Sequence, residues 1–441
     1  MGLRTDVPGG TAADDPNAAD SREGGSRPHG TLATFRRVLR QPAVRRVLPG
    51  MLISAIGDGM SVVAVAWLAV EIAPAGRTGV WTGLAVAAYT LPATVGAVVL
   101  GRLVRGFGGA ALLAVDATVR AVALGTIAVL AITDSLSPAG YVALLAASSL
   151  LHAWGMAGTY TLIAEVLPEE DRVVGNALVS IFAQAAIVIG PALAGILAAV
   201  VGAGAVIGLD AASFAVLAAS GWMIAARPRA AVPAPEETSS GWRTILGERR
   251  LVGLLVVTCA FFFLYGPVEV GLPVHVADEL HGSPGLLGAF WAVFGVGAVI
   301  GGLAAGWLRH RPLWTVVIGI IIGWGVALLP IGLTDAIWPG LVGFAVGGVI
   351  YGPFTAICTA LFQQSCPPAV LSRALAIRTA LTAPSVALGT LLGGPVVGAI
   401  GGRQTLLASA LLTIALGIVV AVIIGLDRRA GRYDSSRAWS G

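Results

Sequence analysis

Two carboxylates interrupt long apolar runs of this sequence, in places where charged groups are rare. Asp58 stands between two glycines, and Glu269 stands between Pro267 and Pro273, which predict a break in a helix. An ionisable side chain at the centre of a membrane costs at least about 2.5–3.5 kcal/mol, so it needs a partner, a cavity or a function. Either carboxylate could carry a proton or bind a cation. The alternatives are a hydrogen bond from Asp58 to a neighbouring helix and a position near the membrane surface for Glu269.

A third carboxylate has a cation within its own apolar run. Asp116 and Arg120 stand four residues apart, in the acid-first order that favours pairing on one face of a helix. This spacing predicts a structural pair that neutralises itself, with a role in gating as the alternative. Further polar and aromatic residues are candidates for a cavity wall, although ordinary helix packing is the alternative for each. These candidates are His152, Trp154, Gln184, Tyr265, Trp291 and Tyr351.

The composition decides which elements carry these residues. Of 441 residues, 56% are hydrophobic and 11% are charged, against about 25% charged in soluble proteins. Apolar runs of about 20 residues follow one another, and each is long enough to cross a hydrocarbon core about 30 Å thick. A soluble enzyme, a secreted disulfide scaffold and a nucleic-acid-binding domain are therefore excluded. The chain has no Lys, which excludes a P-loop, and its three cysteines form no CxxC pair, so we expect neither cofactor nor metal.

Twelve apolar segments predict an all-α membrane protein with two six-helix bundles. They lie near 47–70, 80–100, 110–132, 139–164, 174–200, 204–226, 251–274, 285–307, 313–333, 338–361, 375–399 and 404–426. The expected organisation is a disordered tail with a basic lead-in (1–46), a first bundle (47–226), a polar linker (227–250), a second bundle (251–426) and a short tail (427–441). Each half carries a Gly-Pro pair in its fifth segment, Gly190-Pro191 and Gly394-Pro395. Paired halves of this kind are typical of transporters whose substrate site lies between them.

The distribution of arginine predicts the orientation. All 27 basic residues are Arg; Arg77 and Arg403 fall in one set of loops, Arg120 falls inside the third segment, and the remaining 24 share the other side with both termini. Because positively charged loops stay in the cytoplasm, we expect both termini there. An even number of spans agrees with this arrangement.

Several stretches of the sequence resemble the major facilitator superfamily, and within it the bacterial branch that includes macrolide and enterobactin exporters. The resemblance covers about 45–427. It is carried by Gly57-Asp58-Gly59 with Trp67 to Glu71, by Glu165 to Glu170 with Gly175-Asn176-Ala177, by Gly190-Pro191, and by Leu209 to Phe214. It implies a multi-pass protein of the bacterial cytoplasmic membrane that exports a small lipophilic or amphipathic compound by alternating access, driven by protons. Asp58 and Glu269, singled out above by their positions inside apolar runs, are the candidates for coupling and for recognition of substrate charge. Nothing in the sequence demands an oligomer, so we expect a monomer.

The chain departs from this superfamily in two places. The loop signature G-x-L-x-D-R-x-G-R-R keeps its turn glycines as Gly101 and Gly108, but Arg105 replaces the aspartate that supports gating in relatives. The arginine signature of proton antiporters in the fourth segment is also absent, and His152 is the titratable group in the core of that segment.

Three other functions are weighed against export. An uptake permease for a metabolite would have more polar groups on its first and seventh segments. A membrane sensor or scaffold would carry a large soluble domain or a long binding loop, and the longest internal linker has about 24 residues. An intramembrane enzyme would need a catalytic constellation on facing helices, and the sequence does not supply one.

Overall fold

The protein is described by a computed structural model, which covers residues 31–104, 106–226, 249–308, 311–366 and 368–429. These residues form helices and connecting loops, with no β-strand among them. The helices run Thr31–Arg40, Pro42–Ile72, Thr78–Val99, Gly109–Ile132, Pro138–Ser149, His152–Val166, Glu169–Val201, Ala203–Ala225, Arg249–Val274, Pro284–Leu308, Leu313–Leu333, Ile337–Tyr351, Phe354–Ser365, Pro368–Ile400 and Gly402–Arg429. A 3-10 turn at Leu100–Arg102 follows the helix Thr78–Val99, and a π-helical turn at His275–Glu279 follows the helix Arg249–Val274.

Together these elements make twelve stretches that are long and apolar enough to cross a membrane, which confirms the predicted all-α fold. We number them as spans 1 to 12: Pro42–Ile72, Thr78–Val99, Gly109–Ile132, Pro138–Val166, Glu169–Val201, Ala203–Ala225, Leu251–Glu279, Pro284–Leu308, Leu313–Leu333, Ile337–Ser365, Ile377–Ile400 and Gly402–Leu426. Spans 1 to 6 form the N-terminal bundle and spans 7 to 12 form the C-terminal bundle.

Three predicted boundaries differ from the structure. Span 1 begins at Pro42, and a separate helix, Thr31–Arg40, precedes it, so the basic lead-in of the predicted tail is helical here. The helix of span 5 begins at Glu169 and the helix that contains span 11 begins at Pro368, five to seven residues before the predicted start, because polar residues in their first two turns lower the local hydropathy. The tail 1–30, most of the linker (227–248) and the tail 430–441 lie outside the described residues.

The two bundles repeat the same packing. Span 1 packs on spans 5 and 6, and in the same way span 7 packs on spans 11 and 12. Glycine permits both close crossings: a Cβ added to Gly59 would lie 2.9 Å from the carbonyl carbon of Ala186, and one added to Gly389 would lie 2.9 Å from that of Phe263. Spans 4 and 10 are each interrupted at mid-length, at residues 150–151 and 352–353.

The bundles meet along two further glycine crossings, between spans 2 and 11 and between spans 5 and 8. A Cβ on Gly83 would lie 2.8 Å from the Cα of Gly394, and one on Gly195 would lie 2.9 Å from the Cα of Gly288. These residues lie toward the Arg-poor ends of their spans. The contact between the bundles is therefore tight at the Arg-poor ends.

Span 7 does not break at its prolines, contrary to the prediction. The helix Arg249–Val274 continues through Pro267 and Pro273 and passes into the π-helical turn. A proline at position 267 leaves the carbonyl of Phe263 without its helical donor. Gly389 of span 11 packs directly against that carbonyl, so the neighbouring helix covers the unpaired group inside the protein.

Candidate functional site

A cavity of about 1130 Å³ lies between the two bundles. Spans 1, 3, 4, 5 and 6 line it from one side, and spans 7, 8 and 10 line it from the other. It extends from the middle of the protein toward the Arg-rich ends, where Met51, Thr159 and Thr359 form part of its wall. Most of the residues predicted for a site do line it: Asp58, Asp116, Arg120, His152, Gln184, Tyr265, Glu269, Trp291 and Tyr351.

Asp58 is held by two neighbours on other spans. The Nη1 atom of Arg120 lies 3.1 Å from Asp58 Oδ1, and the hydroxyl of Tyr89 donates a hydrogen bond of 2.5 Å to the same oxygen. The guanidinium of Arg120 also lies over the ring of Phe214, 4.5 Å from its centroid, and is 2% exposed. Asp58 remains about a third exposed, so a fixed and paired carboxylate faces the cavity.

The predicted pair of Asp116 and Arg120 is corrected by this geometry. The ion pair of Arg120 reaches across to Asp58 on span 1, and no described residue donates a hydrogen bond to Oδ1 of Asp116. An arginine side chain is long enough to bridge two helices, and the carboxylate that Tyr89 orients competes with the one on the same helix. Asp116 is instead packed against span 4, where a Cβ on Gly155 would come within 2.7 Å of the Asp116 Cβ.

Glu269 faces the cavity from the C-terminal bundle and not from the membrane surface. Its Oε2 accepts a hydrogen bond of 3.0 Å from the hydroxyl of Thr390 on span 11. Within the described residues, no arginine or histidine nitrogen lies within 4.0 Å of its carboxylate. Glu269 therefore has one neutral donor where Asp58 has a cation.

Aromatic side chains share the C-terminal wall of the cavity with Glu269. Tyr265 and Tyr351 are stacked with their centroids 6.2 Å apart, and Trp291 packs edge-on against Phe294 with a centroid distance of 5.9 Å. Such rings bury apolar surface and present negative faces that attract cations. The C-terminal wall of the cavity thus suits an apolar compound or an organic cation.

Trp154 does not line the cavity, although the sequence predicted it. The residues of span 4 on the cavity wall are His152, Gly155, Met156 and Thr159, which share one face of the helix. Trp154 lies off that face, and its indole nitrogen donates a hydrogen bond of 2.9 Å to the carbonyl oxygen of Gly96 on span 2. It fastens spans 2 and 4 together.

Tyr89 and Asp210 lie next to the cavity residues, and the sequence did not mark them as candidates. Asp210 is fully buried and accepts hydrogen bonds from Ser61 (2.5 Å) and Ser213 (3.2 Å). Ser213 follows Asp210 by three residues, as Ser61 follows Asp58, and a serine one helical turn from an aspartate is a usable signal. Nothing in the sequence around Tyr89 distinguishes it from a packing residue.

The loop between spans 2 and 3 is held by glycines and by Glu165. Gly101 packs against the ring of Trp154, and Gly106 has a φ of +92° that favours glycine. Gly108 precedes the helix of span 3, and Glu165 Oε1 accepts a hydrogen bond of 3.0 Å from the backbone nitrogen of Gly109. Glu165 therefore caps this helix. Arg105 lies outside the described residues.

The helix Thr31–Arg40 is tied to span 5. Nε of Arg37 donates to both carboxylate oxygens of the buried Asp171, at 3.1 and 3.0 Å. Hydrogen bonding to Asp171 raises the pKa of the Arg37 guanidinium, which stays charged throughout. The described residues contain no group of three His, Cys, Asp or Glu side chains that could hold a metal ion.

Two pseudo-symmetric bundles of six membrane helices around a central cavity are the architecture of a membrane transporter. A model of the Major Facilitator Superfamily matches residues 47–339 and 268–438, and the chain belongs to this superfamily. The multidrug efflux pump Tap of Mycobacterium tuberculosis is 27% identical over 395 residues, which cover 85% of this chain and 91% of the pump. The macrolide efflux protein A of Streptococcus pyogenes is 25% identical over 190 residues, which cover 42% of this chain and 47% of that protein.

Solved structures agree with the fold. The nucleoside transporter NupG superposes with a TM-score of 0.67 at 12% identity, covering 87% of this chain and 99% of NupG. A bacterial homologue of the human lysosomal transporter Spinster, in an inward-facing and unoccupied conformation, gives a TM-score of 0.65 at 12% identity, covering 91% and 98%. The chain is therefore a multi-pass membrane transporter with relatives that are efflux pumps.

Proposed function

We propose that this transporter exports small lipophilic or amphipathic compounds, such as drugs, antibiotics or siderophore-like metabolites, by alternating access driven by protons. The relatives named for multidrug and macrolide efflux support the direction and the substrate class. The cavity, which reaches the Arg-rich ends of the spans while the bundles touch at the other ends, supports alternating access. The transporter works as a monomer in this proposal.

The proposed orientation in the membrane is based on the distribution of arginine. Arg-rich loops stay in the cytoplasm, so both termini are cytoplasmic and the cavity faces the cytoplasm of a bacterial cell. A compound that enters from the cytoplasm or the inner leaflet would meet Glu269 and the aromatic wall. Opening of the glycine crossings at the Arg-poor ends would release it outside.

One observation carries the proposal: Asp58 of the N-terminal bundle and Glu269 of the C-terminal bundle both line the cavity, and their partners differ. Asp58 has Arg120 at 3.1 Å, whereas Glu269 has the hydroxyl of Thr390 and aromatic rings. A carboxylate without a counter-ion in an apolar cavity is neutralised by a proton or by a bound cation. Glu269 would therefore exchange a proton for the positive charge of a substrate, and Asp58 would couple proton movement to the turnover of the two bundles.

The test is efflux of ethidium, a lipophilic cation, from cells that express the protein, with and without a protonophore. We expect efflux above the vector control that stops when the protonophore is added. Glu269→Gln should lower the rate at least tenfold, and Glu71→Gln is the matched control, since Glu71 is exposed at the end of span 1. Efflux that continues at the same rate in the presence of the protonophore would contradict proton coupling. Accumulation of ethidium inside the cells would indicate an uptake permease.

Asp58→Asn examines the second carboxylate. This variant should abolish gradient-driven efflux while it still folds and inserts, which immunodetection in the membrane fraction and a monodisperse elution profile would verify. Full efflux in Asp58→Asn would remove Asp58 from the coupling mechanism.

A further inference from the structure

Arg120 is a buried cation with carboxylates on three spans around it. Asp58 of span 1 takes its ion pair. Asp210 of span 6 already accepts hydrogen bonds from Ser61 and Ser213. Asp116, on the same helix as Arg120, has an oxygen, Oδ1, that is buried and accepts no hydrogen bond from the part of the chain that the structure describes.

Arg120 has an unpaired donor to match. Its Nε atom is buried and has no acceptor among the described residues, although its Nη1 is paired with Asp58. A buried donor and a buried acceptor without partners each destabilise the arrangement in which they occur. Here the two groups stand at i and i+4 of one helix, and helical side chains lean toward the N-terminus, so Arg120 extends over the turn that carries Asp116.

We propose that Asp116 is the second counter-ion of Arg120 and a positioning residue for transport. When a proton or a cationic substrate neutralises Asp58, the guanidinium turns from Asp58 on span 1 to Asp116 on its own helix. This inference rests on the proposed function, because it assumes that Asp58 is neutralised during the cycle. The charge of Arg120 is then compensated in both states, and the link between spans 1 and 3 is released in one of them.

The other groups around Asp58 do not serve this purpose. Tyr89 of span 2 donates to Asp58, and His152 of span 4, whose Nδ1 is buried without a partner, is not a carboxylate and cannot neutralise an arginine. Asp210 is occupied by its two serines. Gly155, which packs against Asp116 without a side chain of its own, leaves the space that the Asp116 carboxylate fills.

A thermal-unfolding cycle on the purified protein in detergent tests the switch directly. Asp58→Asn and Asp116→Asn each leave Arg120 one carboxylate, so each single variant should lose only a few degrees in melting temperature. The double variant leaves neither of the two counter-ions, and its loss should exceed the sum of the single losses at least twofold. The control cycle pairs Asp58→Asn with the exposed Glu71→Gln, for which the losses should add.

The double variant could fail to fold, and a triple variant covers that outcome. Adding Arg120→Gln removes the uncompensated cation and should recover a folded, monodisperse protein. Additive losses in the double variant, or no recovery in the triple variant, would overturn the switch.

A transport assay separates positioning from mere structural support. In proteoliposomes, Asp116→Asn should keep ethidium exchange across the membrane but lose at least tenfold in proton-driven efflux. The reason is that neutralisation of Asp58 would then leave Arg120 without a counter-ion. Asp116→Glu should restore the driven efflux. Equal loss of exchange and driven efflux would assign Asp116 a structural role only.

The Arg120 switch and proton-driven export are tested by different measurements. Melting requires neither substrate nor gradient, so additive losses would overturn the switch while protonophore-sensitive efflux by the unmodified protein remained. Absence of that efflux, together with a non-additive melting cycle, would overturn the proposed function and leave the two-carboxylate environment of Arg120 in place.

Discussion

The two walls of the cavity differ in chemistry although the bundles behind them repeat one packing scheme. The N-terminal wall contains charged residues, with Asp58 and Arg120 fixed in an ion pair. The C-terminal wall is aromatic, with Tyr265, Trp291 and one carboxylate, Glu269, that lacks a cation. Equivalent helix crossings, such as those at Gly59 and Gly389, support both walls. The difference teaches that the shared scaffold provides the cavity and the side chains decide its chemistry. The N-terminal wall contributes the ion pair, and the C-terminal wall contributes the aromatic surface.

The division has a consequence for stability. A buried ion pair contributes little net stability when intact, but removal of one partner leaves an uncompensated charge. Aromatic pairs contribute about 0.5–1.5 kcal/mol each beyond their buried area and tolerate change more gradually. We therefore expect removal of the Arg120 cation to act mainly on folding, and substitutions of aromatic residues in the C-terminal wall to act mainly on transport.

The largest expected effect comes from breaking the ion pair. Arg120→Leu leaves Asp58 and the buried Asp116 without the cation of Arg120, and we expect a loss of about 3–5 kcal/mol in stability. Glu269→Gln, which breaks no ion pair among the described residues, should leave the melting temperature within about 2 °C of the parent. Melting in detergent, followed by intrinsic fluorescence, measures both. A stable Arg120→Leu variant would remove the contrast between the walls.

The second-largest effect is expected at the glycine crossings that both bundles share. A Cβ on Gly59 or Gly389 would overlap the backbone of the partner helix, so Gly59→Ala and Gly389→Ala should each cost about 1–3 kcal/mol. Gly253→Ala is the matched control within a span, because no atom lies within 4 Å of the added methyl group. If one crossing tolerated alanine and the other did not, the packing of the two bundles would be less equivalent than their helices indicate.

The sequence predicted the scaffold, and it singled out two acids, Asp58 and Glu269, that line the cavity. Hydropathy detects spans because every backbone polar group in a bilayer is paired within its own helix, and an acid inside such a run is conspicuous by its cost. Partners of these acids were not predicted, because the choice of Asp58 over Asp116 by Arg120 depends on how spans 1, 2 and 3 are rotated against one another. The same limit explains Asp210, whose burial follows from packing against span 1 and not from its position near a helix end.

Proline was also misleading for a physical reason. Pro267 frees a carbonyl group, which predicts a break, but the close approach of Gly389 covers that group. The compensating residue lies more than a hundred positions away in the chain, so no local pattern reveals it.

The aromatic wall should govern apparent affinity. Tyr265→Leu removes a ring that stacks on Tyr351 and lies near Glu269, and the loss of about 1 kcal/mol of attraction for a cation corresponds to a rise of about fivefold in the KM for ethidium. The maximal rate should change less than twofold. Trp338→Leu serves as the control, since Trp338 is largely exposed at the start of span 10. An unchanged KM in Tyr265→Leu would place the binding of the cation on the N-terminal wall.

The smallest effect is expected at Trp154, and it sharpens the comparison by marking where the cavity wall ends. Trp154→Phe removes the hydrogen bond to Gly96 and should lower the stability by about 0.5–1.5 kcal/mol. Because Trp154 lies off the face that carries His152 and Thr159, the KM and the maximal rate for ethidium should both stay unchanged. Trp291→Phe, on the cavity wall, should do the opposite and alter the KM with little change in melting temperature. A shift in KM for Trp154→Phe equal to that of Trp291→Phe would mean that span 4 turns a different face to the substrate during transport.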